Sequence, residues 1–310
     1  MTPEQPDSRP SVSPAEETNR PGAAASGRRR RLLLVVAGAT VAVAATGAAL
    51  SLHDGGSAPA ADFCWSLAPQ SEPADDGSLR ACGDALETAA TGRPAGSTAP
   101  EEAVRHTDEQ ARMFKKIVTS YGAQAPDGEE VPVEIAPQMA NVLAHFHQDV
   151  HQVLGRTSRS ASAGDPEVPH TALTAFMRSV SAEDDAFRTT YRSQLREVSR
   201  EIDGLTKEEL TRAPGGADDR ARAVVERSGS VIGGLVQARD DALKAALDGE
   251  PDSATEEKLA ENYEKNGYPR LRHLLHAHAS KVGVPADELA DTGGRMGDLT
   301  GWTSSAYRSA

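Results

Sequence analysis

Four side chains that could hold a metal or move a proton fall within seven residues: His145, His147, Asp149 and His151. On a helix at 100° per residue, His147 and His151 share one flank of the apolar stripe, and His145 and Asp149 share the opposite flank. The cluster is therefore two half-sites at most, each needing donors from another helix. His147 and His151 make the better pair, because two imidazoles four residues apart can share one divalent ion. The second-helix donors are His273, His276 and His278. Of these, His278 falls in an apolar stripe with Leu271, Leu275 and Val282, while the other two fall on the polar side. The candidate metal ligands are thus His147, His151 and His278, and the cofactor they would take is a divalent transition metal. The competing reading makes His147 and His151 hydrogen-bonding flanks of a buried face, and His278 a satisfied core histidine. In its favour, the inward Glu-x-x-His motif of di-metal bundles is missing from the helical segments. Its one match, Glu167 to His170, contains Pro169.

No other motif carries chemistry. The sequence has no H-E-x-x-H, G-x-S-x-G, S-x-x-K or Walker A pattern, and no strand–helix alternation to hold a nucleotide. The pairs Asp184/Asp185, Asp218/Asp219 and Asp240/Asp241 read as helix caps and solvated faces. Cys64 and Cys82 are the only cysteines. In an oxidising compartment two cysteines read as one disulfide, worth about 3 kcal/mol on a chain-entropy account. Phe63-Cys64-Trp65 then becomes a strap packed on the helices and pinned by Cys82.

The elements that would position these residues are helical. Apolar residues recur at three and four over Glu101–Tyr121, Ala136–Leu154, His170–Leu205, Ala217–Leu247 and Tyr268–Val282. A polar notch at Ser181–Asp184 leaves the third segment open as one helix or two. Glu130–Ile135 alternates like a short extended segment, which Pro132 keeps short. Gly229 and Gly233 form a G-x-x-x-G within a helix pattern flanked by Arg227 and Arg239, which suggests a close helix contact. The class is all-α, a helical bundle. Residues 62–290 are expected to form the helical ectodomain, 53–61 a linker, and 291–310 an irregular tail rich in Gly, Thr and Ser.

Before this bundle lies the run Leu32–Leu52, free of charged side chains and about 30 Å long as a helix. Arg28 to Arg31 directly precede it, which orients residues 1–31 to the cytoplasm as a disordered tail and the remainder outward. The helix either stays as a signal anchor in the membrane or is cut after Ala60, within the small-x-small pattern Ala58-Pro59-Ala60. Arg29-Arg30-Arg31-Leu32-Leu33 also has the outline of a twin-arginine export signal. The net charge is −13, and the first 52 residues hold six Arg and four Asp/Glu, so the outer part carries −15. That balance argues against nucleic acid as a partner.

The arginine run, the Ala-Gly-Val helix and the Pro/Ser-rich tail resemble exported or membrane-anchored proteins of high-GC actinobacteria. The resemblance covers the first 65 residues. It implies a cell-envelope setting and transfers neither an activity nor site residues. The leading expectation is a non-enzymatic extracytoplasmic interaction module with an envelope protein as partner. The alternative is a metal-binding or ferritin-like extracytoplasmic enzyme built on the helix histidines.

Overall fold

Several helix starts in this chain are set by side chains that accept orphan backbone N–H groups. Thr107 accepts from Gln110 N while the Gln110 side chain accepts from Thr107 N, a reciprocal box that fixes the start of one helix. Thr206 and Glu209 repeat the device, and Ser78, Asp219 and Asp252 cap three further starts with one oxygen each.

The computed structural model describes residues 57–67, 78–102, 104–122, 130–156, 168–213, 219–246 and 252–310. Its helices are α1 (Ser57–Leu67), α2 (Leu79–Thr91), α3 (Asp108–Tyr121), α4 (Ala136–His145), α5 (His147–Leu154), α6 (His170–Val180) and α7 (Asp184–Asp203). There follow α8 (Lys207–Thr211), α9 (Arg220–Ala245), α10 (Ser253–Asn266), α11 (Tyr268–Lys281), α12 (Ala286–Ala290) and α13 (Arg295–Arg308). No strand occurs among the described residues, so the all-helical class holds. The run at 32–52 and the tail at 1–31 lie outside the described residues. Among the described residues no helix is long and apolar enough to cross a membrane.

The 26-residue α9 is the hub, contacting α5, α6, α7, α10, α11 and α13. It buries Val224, Val225, Ile232, Leu235 and Val236 in one continuous apolar core. On the other side, α4 lies between α7 and α2. The Cys64–Cys82 disulfide ties α1 to α2, and both cysteines are fully buried. Phe63 meets Tyr121 edge to face at 5.3 Å, and Lys116 Nζ donates to Leu67 O at 2.9 Å, closing the end of α1. The strap is therefore a helix, and the expected linker at 53–61 ends earlier than its composition suggests. Residues 57–61 are the first turn of α1, where alanines favour helix and a proline is tolerated.

The chain end needs the larger correction. Residues 295–308 are not irregular; they form α13, laid along α9. A Cβ at Gly229 would sit 2.5 Å from Thr303 O, and one at Gly233 closer still to Tyr307 O. The small residues that looked like loop composition are a packing surface, admitted by the two glycines of α9. Arg295 then pairs with Asp219 at 2.6 Å, and Arg222 and Arg295 lie 4.7 and 5.3 Å from the Trp302 ring.

Two breaks shape the site. The segment 136–154, expected as one helix, divides at Phe146, which leaves helical geometry (φ −92°, ψ 29°). Its buried ring stacks with His106 at 3.8 Å and with Phe114 at 4.2 Å. The notch at 181–184 separates α6 from α7. Glu183 caps α7 by accepting from Ala186 N, and Arg239 of α9 reaches across to Ser181 O and Asp184. Residues 130–135 turn rather than extend, with Val131 N donating to Ser179 Oγ at 2.6 Å and Ile135 fully buried.

Candidate functional site

The break at Phe146 starts α5 with His147 and aims its flank at α7. His147 and His151 are both buried, as their place beside the apolar stripe implies. What meets them is a second pair at the same spacing, Glu197 and Glu201 of α7. His147 Nε2 lies 3.0 Å from Glu197 Oε1, and His151 Nε2 lies 3.2 Å from Glu201 Oε2. Each carboxylate has an arginine behind it: Arg200 Nη1 bonds Glu197 at 2.6 Å, and Arg227 Nη1 of α9 bonds Glu201 at 2.6 Å. Gln194 Nε2 adds a bond to His147 O at 2.9 Å, one helical turn earlier on α7.

Burial alone would raise both carboxyls. The hydrogen bonds and charges of the facing histidine and arginine outweigh it, so Glu197 and Glu201 end below the usual carboxylate range. Glu197 and Glu201 thus form two rungs, each carboxylate between a histidine of α5 and an arginine: Arg200 of α7 in one, Arg227 of α9 in the other.

This arrangement corrects the expected metal set. His278 does not join His147 and His151. Its Nδ1 faces Asp203 Oδ1 at 3.1 Å and its Nε2 faces Leu205 O at 2.8 Å, at the C-terminal end of α7. His147 is likewise engaged at both nitrogens, with Nδ1 3.1 Å from Ala144 O. Among the described residues no group of three or more His, Cys, Asp or Glu is placed to hold a metal ion. His273 and His276, on the polar side as expected, border a separate hollow of about 470 Å³ with Asp291 and Thr292.

The opposite flank does different work. The His145 imidazole bonds the backbone of Ser97, and the His106 imidazole bonds the backbone of His145. Burial lowers both imidazoles below their ordinary value. Glu87, 1 % exposed, accepts from Gly96 N at 2.9 Å and from Asn141 Nδ2 at 3.3 Å, and burial raises its carboxyl. Gly96 sits at φ +74°, where a glycine is favoured. The segment after α2, rich in Gly, Pro and Ser, is therefore pinned in place by buried polar groups.

That pinned loop forms one wall of a groove of about 650 Å³. Thr189, Arg192, Arg196 and Ser199 of α7 line it as a polar stripe, together with Arg270 of α11. Leu195, Leu274 and Ala144 supply apolar surface. Sequence reasoning missed both the carboxylate rungs and this groove. The available signals were the i, i+4 pair Glu197/Glu201 beside the apolar series of α7, and the stripe at 189, 192, 196 and 199.

No family model, no curated protein and no solved structure matches this chain, so the site is read from its geometry alone.

Proposed function

We propose that this chain is an extracytoplasmic helical interaction module that works by binding rather than by bond-making chemistry. It is held at the membrane by the apolar segment at 32–52, or released by cleavage near Ala60. The observation that carries this reading is the buried Cys64–Cys82 bond, since disulfides persist in oxidising compartments. The charge asymmetry around residue 31 supports the same orientation. The binding half of the reading rests on the buried ionisable groups. Glu197 and Glu201 are each held below the usual range and paired with cations, so neither is poised to exchange a proton near neutral pH.

The test uses the full chain in intact cells. Thiols are blocked with a maleimide before lysis and counted again after reduction, while an external protease probes the C-terminal region. The expected result is that both cysteines label only after reduction and that the C-terminal part is digested from outside. Labelling of both cysteines without reductant, with the C-terminal part protected, would overturn the reading.

A further inference from the structure

The arginines of α7 follow a rule that is broken in one place. Arg188, Arg192, Arg196 and Arg200 recur every four residues. The two outer ones have an acid three residues earlier and pair with it: Arg188 with Asp185, and Arg200 with Glu197. At the two inner ones that position holds Thr189 and Ser193, so neither has the acid three residues earlier. Glu101 approaches Arg196 only to 4.0 Å and is itself 85 % exposed. Among the described residues neither Arg192 nor Arg270 pairs with a carboxylate. In a chain of net charge −13, Arg192, Arg196 and Arg270 all line one groove, and among the described residues the one carboxylate paired with them is Glu101, 4.0 Å from Arg196. Two of them sit four apart on one helix, an arrangement of like charges that costs stability.

The rest of the groove suits an occupant. Thr189 and Ser199 add hydroxyl-bearing side chains to the same lining, and Leu195, Leu274 and Ala144 add apolar ones. A volume of about 650 Å³ falls within the range of small-molecule sites. The loop wall is fixed in advance by Glu87 and His145, which reduces the ordering cost of binding.

We infer that this groove binds a small organic anion, its carboxylate or phosphate head on Arg192, Arg196 and Arg270 and its apolar body against Leu195 and Leu274. Guanidiniums recognise both heads by charge-assisted, two-pronged hydrogen bonds. The inference deepens the binding role proposed above by naming the ligand class.

The test is calorimetric titration of the full chain in a neutral detergent with 2-naphthyl phosphate and 2-naphthoate. Both are expected to saturate one site, with affinity that falls as salt rises, whereas 2-naphthol, which lacks the charge, is not retained. Arg192→Gln and Arg270→Gln should each weaken binding about tenfold, the loss of one charge-assisted bond. Arg188→Gln, outside the groove, should leave binding unchanged. Displacement by inorganic phosphate would mark a free phosphate as the source of the head group. Displacement by short-chain phosphatidylglycerol but not phosphatidylcholine would mark a lipid head group. Displacement by neither would mark a soluble organic anion. Equal binding of naphthol, or equal weakening by Arg188→Gln and Arg192→Gln, would overturn the inference. Thermal melts of each variant confirm that it is folded. Failure here with the thiol result above intact would remove the ligand class and leave the extracytoplasmic reading standing.

Discussion

His147 Nε2 lies 3.0 Å from Glu197 Oε1 across the interface of α5 and α7, with Arg200 on the far side of the same carboxylate. Both partners are nearly buried, so removing either strands the other with little solvent to take its place. Glu197→Ala should cost about 2–3 kcal/mol. A cycle of Glu197→Ala with His147→Ala should show a coupling of about 1–2 kcal/mol in urea denaturation. A coupling indistinguishable from zero would mean that the two residues do not interact as a pair.

Buried histidines and the paired carboxylates of α7 together set an acid response. His106 and His145 are depressed by burial, so the unfolded chain takes up protons before the folded one does. Their contribution is full above the ordinary value of 6.5 and is lost as pH falls towards the folded values. His170 and His276, also lowered by burial, add with the same sign. Glu197 and Glu201, held below 4.5, contribute fully above that value and are lost as pH falls through their folded values. Glu87 is raised and acts in the opposite sense, gaining as it protonates. The melting temperature should therefore be level above about pH 7 and fall in two stages below it. His145→Gln should flatten the first stage and Glu197→Gln the second. A melting temperature constant from pH 7 to pH 5 would contradict this account.

Added zinc or nickel should not raise the melting temperature of the chelator-treated chain. Each would have to displace the His147 hydrogen bond to Ala144 O and its 3.0 Å contact with Glu197, or the contacts of His278 with Asp203 and Leu205 O. A saturable rise that His147→Gln abolishes would show that the pair opens to metal.

The histidines show how far sequence spacing reaches. A 3.6-residue period puts His147 and His151 on one flank and His278 in a stripe, and all three are indeed buried. Which helix lies opposite is a tertiary choice that the period does not encode, and α7 rather than α11 faces α5. The break at Phe146 was hidden for a similar reason, because its ring partners His106 and Phe114 come from earlier segments. Helix α10 buries only Thr255 and Asn262, so it has no apolar series to read. Helix α13 went unrecognised because its contact with α9 is made by backbone and small side chains.

That contact gives a paired test. Gly229→Ala and Gly233→Ala each place a methyl against the α13 backbone at Thr303 and Tyr307, so α13 must move away. Each should cost about 1–3 kcal/mol, the range for overpacking, despite alanine's better helix propensity. Gly301, also in α13, meets nothing within 4 Å. Gly301→Ala should therefore gain up to about 1 kcal/mol. If all three substitutions stabilise equally, α13 is not seated on α9.

The disulfide supplies the last prediction. Cys64 and Cys82 are 18 residues apart, and the bond holds α1 on α2 by restricting the unfolded chain. Its loss should cost about 3 kcal/mol, and Cys82→Ser adds a buried hydroxyl at a fully buried position. Cys64→Ala with Cys82→Ala isolates the cross-link from that added polarity. In urea, the oxidised chain should unfold at a higher midpoint than the double variant, and dithiothreitol should bring the native protein down to the variant's value. Lys116 Nζ to Leu67 O and the Phe63–Tyr121 contact hold α1 without involving either cysteine. The reduced protein should accordingly remain helical at neutral pH, with α1 the first element to lose amide-exchange protection. Equal midpoints for the oxidised and reduced chains would show that the strap is held by packing alone.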